Sequence, residues 1–107
     1  MGKVLPGTLD LLILRALLQG ARHGYAIAEF ILAHSEGELE VEEGALYPAL
    51  HRLEVQGYLA SAWGLSENNR RAKFYRLTAI GRRQLEQSVS AWQRAARAIA
   101  GVLEAKA

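Results

Sequence analysis

Residues 41–81 constrain the fold more than any other part of the chain, because three patterns follow one another there with short connections. Residues 42–54 (EEGALYPALHRLE) have the apolar spacing of an amphipathic helix. An apolar run follows Gly57, a residue type that commonly ends a helix. A polar tip at 67–71 (ENNRR) separates this run from a second one at 73–77 (KFYRL). The sequence therefore predicts a helix, a two-stranded hairpin and the start of another helix.

The first of these helices has one apolar and one mixed face. Leu46, Leu50 and Leu53 recur at i, i+4 and i+7, so these side chains are expected to point into a core. Pro48 lacks a backbone N–H and is tolerated best in a first turn, which predicts a helix start close to Gly44. The outward side chains are then Ala45, Tyr47, Pro48, His51 and Arg52.

The charges are unevenly distributed, although the formal net charge is only +2. Residues 36–43 contain five glutamates and no basic residue, whereas residues 70–83 contain six basic residues and no acidic one. Such polarity steers a protein toward polyanions. A helix in a major groove, beside a cationic hairpin on the phosphates, is a compact way to hold duplex DNA. DNA binding is therefore the leading hypothesis.

The cations of the hairpin are the strongest candidates for DNA contacts. Arg70, Arg71 and Lys73 have no acidic residue between them, and cation–phosphate contacts dominate the affinity of DNA-binding proteins. We expect them to contact phosphates or the minor groove. The five outward residues of the helix are the other candidates, for base edges or for phosphates.

Two carboxylates argue for a different class of function. Glu42 and Glu43 stand at the end of the helix that would meet DNA, and carboxylates repel phosphates. The alternative is a protein-interaction module that keeps this fold without reading DNA. Arg52 likewise has two interpretations: it contacts a phosphate, or it pairs with Glu54 or Glu43.

The N-terminal half contains two further predicted helices. The first is expected to open at Pro6-Gly7-Thr8 and to end at Gly20, and a turn at His23-Gly24 leads into the second, residues 25–34. Alternation of apolar and acidic residues at 38–42 predicts a short strand along one edge of the hairpin. The inner face of the second helix is expected to hold Tyr25, Ile27, Ala28, Ile31 and Leu32.

Thr78 is predicted to cap a last helix over residues 79–105. Its apolar residues are spaced four, three, four, three and four apart, which is a heptad seam. A small domain does not cover a seam of that length, so we expect dimerisation through this helix. The seam consists of Leu85, Val89, Trp92, Ala96, Ile99 and Leu103. The predicted fold class is mainly α with a small β-hairpin.

Composition excludes several classes of protein. Half of the 107 residues are hydrophobic, so one folded domain is expected. Cysteine is absent, and His23 and His34 lack the spacing of a metal site, so no metal is expected. No signal-peptide or transmembrane pattern is present, which predicts a cytoplasmic location without a membrane partner. A glycine-rich phosphate loop and a His–carboxylate cluster are lacking, so neither an enzyme nor a cofactor is expected.

Four segments resemble, in order, the PadR family of winged-helix transcriptional regulators. GALYPALHRLE at 44–54, followed by GYL at 57–59, resembles the recognition helix of that family. RRAKFYRLTAIG at 70–81 resembles the second wing strand and the start of the last helix. HGYAI at 23–27 resembles the start of the second helix, and GTLDLLIL at 7–14 resembles the opening of the chain.

The resemblance implies a winged helix-turn-helix DNA-binding domain over residues 1–78 and a C-terminal dimerisation helix over residues 79–107. It implies a bacterial repressor that sits on palindromic operators as a homodimer and often controls detoxification or efflux genes.

In the small multidrug-sensing subfamily, paired tryptophans in the dimer seam stack a flat aromatic effector, and Trp92 falls in the matching part of the last helix. The alternative is that Trp92 only packs against its symmetry mate. Its seam neighbours carry no acid, which favours a neutral ligand. The ligand-binding residues expected on this basis are Leu11, Arg15, Val89, Trp92 and Ala96.

Overall fold

The structure, a computed structural model, describes residues 2–3 and 8–106. The predicted helix opening at Pro6-Gly7 therefore lies outside the described residues. These residues form four helices and five strands, in the order β1 (Gly2–Lys3), α1 (Leu9–Ala16), β2 (Arg22–His23), α2 (Gly24–His34), β3 (Leu39–Glu40), α3 (Glu43–Val55), β4 (Leu59–Leu65), β5 (Arg71–Leu77) and α4 (Ala79–Leu103). The predicted fold class is confirmed. Over the described ranges, each helix is too short or too polar to cross a membrane.

The core forms where α1 packs against α2, α3 and α4. Leu46, Leu50 and Leu53 of α3 are at most 2% exposed, which confirms their predicted inward direction. Burial of one such side chain stabilises a fold by roughly 1.5–3 kcal/mol. The other fully buried large side chains are Ile13, Leu14, Leu17 and Ile27. This packing fixes which side of α3 faces away from the protein.

Two predictions in the N-terminal half are wrong. α1 ends at Ala16 rather than Gly20, and the Nε of Arg22 donates a 2.8 Å hydrogen bond to the Ala16 carbonyl at this end. In α2, Tyr25 and Leu32 are 68% and 37% exposed instead of lying on the inner face. The buried row of α2 is narrower than the apolar pattern indicates, and it consists of Gly24, Ile27 and Ile31.

The β4–β5 hairpin belongs to a three-stranded antiparallel sheet in the order β2-β5-β4. Its ladder runs from Leu59 opposite Leu77 to Leu65 opposite Arg71. The strand predicted at 38–42 forms as β3, but it pairs in parallel with β1, and β2 covers the edge of β5 instead. A two-residue strand such as β2 shows too little alternation to be recognised in a sequence.

α3 begins one residue before the predicted Gly44 and ends in a Schellman motif. Gly57 has a φ of +84°, and the N–H of Tyr58 donates to the carbonyl of Leu53 at 3.0 Å. Pro48 stands in the second turn rather than the first, which corrects the prediction. Because proline has no N–H, the Gly44 carbonyl lacks its usual donor within the helix.

α4 is fixed to the sheet by its first turn. As predicted, Thr78 caps the helix: its Oγ1 accepts a hydrogen bond from the N–H of Gly81 at 3.0 Å and donates one to the Gly57 carbonyl at 2.6 Å. A Cβ at position 81 would lie 2.1 Å from the carbonyl oxygen of Tyr58. Only glycine allows α4 to approach the end of α3 this closely.

The seam of α4 is largely uncovered within one chain. Leu85 is buried against the core, but Trp92, Ile99 and Leu103 are 53%, 58% and 79% exposed. The distal half of this helix of 25 residues thus presents apolar side chains to solvent.

Candidate nucleic-acid interface

A cleft of about 690 Å³ lies between the start of α2, the outward side of α3 and the hairpin. Its lining includes three cations, Arg70, Arg71 and Lys73, and two acids, Glu29 and Glu67. Its aromatic lining consists of His23, Tyr25, Tyr47, Trp63 and Tyr75. The three hairpin cations predicted to contact DNA therefore border one cleft, together with Tyr47 of the outward face of α3, whereas Arg52 lies outside it.

Tyr47 is packed against the start of α2. A Cβ at Gly24 would lie 2.7 Å from the Tyr47 hydroxyl oxygen, so glycine leaves room for the ring at this position. Tyr47 nevertheless remains 47% exposed. The other outward residues, Ala45, Pro48 and His51, are also exposed.

Arg52 pairs with neither Glu54 nor Glu43. Its Nη2 donates to Oδ1 of Asp10 in the first turn of α1. The two side chains are 50% and 40% exposed, and an ion pair this accessible contributes about 1 kcal/mol or less. A DNA phosphate would compete with Asp10 for this guanidinium group.

Glu54 joins α3 to the hairpin. Its carboxylate accepts a 2.6 Å hydrogen bond from the Ser61 hydroxyl and lies 3.5 Å from Nζ of Lys73. The Ser61 hydrogen bond, helped by the charge of Lys73, holds the pKa of Glu54 below its ordinary value of 4.5, against the effect of partial burial. Lys73 therefore lies within β5, as the predicted return strand places it, and its ammonium group faces an acid of α3.

The hairpin tip presents Arg70 and Arg71 to solvent. Asn69 turns the chain with a φ of +58°, and the N–H of Ser66 donates to the Arg70 carbonyl at 2.8 Å. The guanidinium carbon of Arg71 lies 5.1 Å from the ring centroid of Trp63, within cation–π range. Sequence reasoning missed Trp63 as a residue of the cleft. The signal that could identify Trp63 is its pairing in the hairpin, where it lies directly opposite Lys73.

His23 has a structural role that sequence reasoning also missed. Its Nδ1 accepts a 3.2 Å hydrogen bond from the N–H of Ala26 and so caps α2, and its ring meets Phe74 edge-on at 5.3 Å. The Nδ1 of His34 forms a 3.0 Å hydrogen bond with the carbonyl oxygen of Phe30. In the part of the chain that the structure describes, no group of three His, Cys, Asp or Glu side chains is placed to hold a metal ion.

A second groove, of about 510 Å³, is lined by residues of the α1 segment and α4. Arg15 and Val89, two of the predicted ligand-binding residues, line it. Glu86 lines it as well, so the absence of an acid noted for the seam does not extend to this groove. The remaining predicted ligand-binding residues lie outside it: Leu11, Trp92 and Ala96.

Comparison with known proteins identifies the family. The model of the "Transcriptional regulator PadR-like family" matches residues 13–87. The chain belongs to this family. It is 35% identical over 81 residues to the transcriptional regulator Rv3488 of Mycobacterium tuberculosis, spanning 76% of this chain and 62% of that protein. It is 30% identical over 89 residues to an uncharacterized protein of Lysinibacillus sphaericus, spanning 83% of this chain and 82% of that protein.

Solved structures of PadR-like proteins share the fold. A PadR family transcriptional regulator from Eggerthella lenta superposes with a TM-score of 0.79 at 33% identity, over 94% of this chain and 85% of that chain. A transcriptional regulator from Clostridium thermocellum gives a TM-score of 0.78 at 32% identity, over 87% of this chain and 90% of that chain. The protein is therefore a winged-helix, DNA-binding transcriptional regulator of the PadR family and not an enzyme.

Proposed function

We propose that this PadR family protein represses transcription by binding a palindromic operator as a homodimer. One observation carries the proposal: the cations of the hairpin border the same cleft as Tyr47, which lies on the outward side of α3. α3 enters a major groove, and the hairpin contacts the phosphates or minor groove beside it. The proposed DNA-contacting residues are Ala45, Tyr47, Pro48, His51, Arg52, Arg70, Arg71 and Lys73.

The exposed seam supports the homodimer. In this proposal residues 1–78 form the DNA-binding domain and residues 79–107 the dimerisation helix. The apolar side chains of Trp92, Ile99 and Leu103 then pack against a second copy, which removes them from water. The two copies of α3 lie about 34 Å apart, the distance between successive major grooves on one face of the duplex.

Repression follows from the footprint of such a dimer. Two heads one helical turn apart, with a hairpin outside each, cover about 20 base pairs.

A flat aromatic effector in the seam, bounded by Arg15, Val89 and Trp92, changes the spacing of the heads and favours release. The Arg15 and Val89 side chains already share a groove within one chain, which supports this location.

The test is selection of bound sequences from a random duplex DNA pool at moderate salt, followed by affinity measurements over a range of salt concentrations. We expect a two-fold symmetric motif, with half-site centres about 10 base pairs apart. Recovery of no motif, or of an asymmetric one, contradicts the proposal.

A pair of variants tests the proposed phosphate contacts on the selected duplex. Arg70→Gln/Arg71→Gln removes two hairpin cations from each subunit. The salt slope of log affinity should fall by about one for every phosphate that these arginines neutralise. Arg94→Gln/Arg97→Gln removes the same charge from the distal half of α4 and should leave the slope unchanged. Equal slopes for both variants would favour the protein-interaction module, which Glu42 and Glu43 suggest.

A further inference from the structure

The centre of the outward face of α3 offers few hydrogen-bonding groups. Successive residues of an α-helix are about 100° apart, so the side opposite the buried leucines is occupied at i, i+4, i+7 and i+11. These positions hold Gly44, Pro48, His51 and Val55, and all four are exposed. Ala45, also exposed, lies about 60° around the helix from Pro48, on the same side as Arg52. His51 is the one residue among these five whose side chain can form a hydrogen bond.

The longer polar side chains of α3 are engaged at its two flanks. Tyr47 packs on Gly24, at the start of α2. On the opposite flank, the guanidinium group of Arg52 is held by Asp10 of α1. Glu54 is held by the hairpin through Ser61 and Lys73. These contacts direct the polar groups away from the centre of the face that would enter a major groove.

Base edges in a major groove differ in what they require of a protein. Guanine is read mainly by two parallel hydrogen bonds from Arg or Lys, and adenine by two from Asn or Gln. The outward centre of α3 carries none of these four residue types. Thymine is the base that presents a methyl group, and small apolar side chains contact that group.

We infer that α3 reads its half-site through thymine methyl groups, which Ala45 and Pro48 contact, with His51 adding a single polar contact. This inference rests on the proposed function, because it requires α3 in a major groove. It assigns the base chemistry that the site recognises: apolar contact with 5-methyl groups in place of bidentate hydrogen bonds to purines.

The experiment uses the duplex selected above, with two substitutions of single groups. Replacing half-site thymines by deoxyuridine removes only the methyl groups, and we expect roughly fourfold weaker binding for each contacted methyl. Replacing half-site guanines by 7-deazaguanine removes the N7 acceptor and should lower the affinity by no more than the single contact of His51, about fivefold. Equal affinity for thymine and uracil duplexes, or a large drop in affinity with 7-deazaguanine, overturns the inference.

The variant Ala45→Gly assigns the contact within the protein. Wild-type protein should prefer the thymine duplex, whereas Ala45→Gly should bind the thymine and uracil duplexes more equally. Ala33→Gly, which changes an exposed alanine of α2, should keep the wild-type preference. A wild-type preference retained by Ala45→Gly would contradict the assignment.

The proposed function and the inference about thymine methyl groups are contradicted by different results. If selection yields no symmetric motif, the proposed function and this inference both fail. If a motif is obtained but uracil binds as well as thymine, only the inference fails.

Discussion

Two surfaces of this protein differ in how far their side chains are paired or packed within a single chain. On the side of α3 and the hairpin, charged groups are tied to neighbours, as in the pairs Arg52–Asp10 and Lys73–Glu54. On the distal half of α4, apolar side chains such as Ile99 and Leu103 are exposed. The first surface is organised within one chain, whereas the second leaves apolar side chains uncovered, which in the proposed homodimer pack against a second copy. In the proposed function, dimerisation therefore precedes specific binding of DNA.

The largest expected effect comes from placing charged side chains on the exposed apolar seam of α4. Ile99→Glu/Leu103→Glu should dissociate the dimer, and DNA affinity should fall about 100-fold or more because the two heads no longer bind as one unit. Sedimentation and DNA titration measure the two effects. Ala98→Glu adds a carboxylate to another exposed position of the same helix, outside the seam, and should leave both unchanged. If the dimer dissociates while the DNA affinity stays at the wild-type value, DNA binding does not depend on the seam of α4, which would contradict the comparison.

The attached and unattached parts of α4 can be compared with one type of substitution. At Gly81 a Cβ meets the Tyr58 carbonyl oxygen, so Gly81→Ala should lower the free energy of unfolding by about 2–3 kcal/mol. At Gly101 nothing lies within 4 Å, so Gly101→Ala should raise stability by about 0.5–1 kcal/mol through helix propensity. Urea unfolding measures both. Equal effects would show that the first turn of α4 is not fixed as described.

A smaller effect is expected where α2 supports α3. Gly24→Ala should displace Tyr47 and weaken DNA binding about fivefold, which corresponds to about 1 kcal/mol. Gly20→Ala adds the same methyl group in open space and should leave DNA affinity unchanged. If Gly24→Ala binds DNA normally while remaining folded, the position of Tyr47 does not matter for binding.

The smallest effect concerns how stability depends on pH through Glu54, which joins α3 to the hairpin by its contacts with Ser61 and Lys73. The Ser61 hydrogen bond lowers the pKa of Glu54 in the folded protein. The contribution of this hydrogen bond to stability is therefore present above about pH 4.5, and it is lost as the pH falls through the lower pKa that Glu54 has in the folded state. For this partly exposed group we expect a few tenths of a kcal/mol. Glu54→Gln should remove that part of the acid dependence of unfolding, measured by urea titration at a series of pH values. A profile identical to that of the wild type would show that the link contributes nothing.

Most of the fold could be predicted because its signals are local and repeated. The spacing of Leu46, Leu50 and Leu53 identified the buried side of α3, and Thr78 and Gly57 marked helix ends through their chemistry. β2 could not be predicted, because two residues show no period and their pairing with β5 depends on the folded chain. Tyr25 shows the converse error: an apolar position within a helical pattern is exposed beside a cleft.

The exposed cations of the hairpin could be predicted from the sequence, but the partners of the other charged side chains could not. Charge clustering identified Arg70 and Arg71, whose exposure at the tip follows from a turn that the sequence marks with Asn69. The pairing of Arg52 with Asp10 joins helices that are far apart in sequence, and nearby acids gave the wrong partner. A tertiary ion pair of this kind follows from packing and has no sequence signal.

Binding as a homodimer to a two-fold symmetric operator fixes both the stoichiometry of the complex and the spacing of its half-sites. Sedimentation of the complex gives the number of protomers per duplex, and titration of a duplex with about five extra base pairs between the half-sites tests the geometry. We predict two protomers per duplex and a large fall in affinity on insertion, because the second half-site turns about half a helical turn away from its head. One protomer per duplex, with affinity indifferent to the insertion, would contradict it.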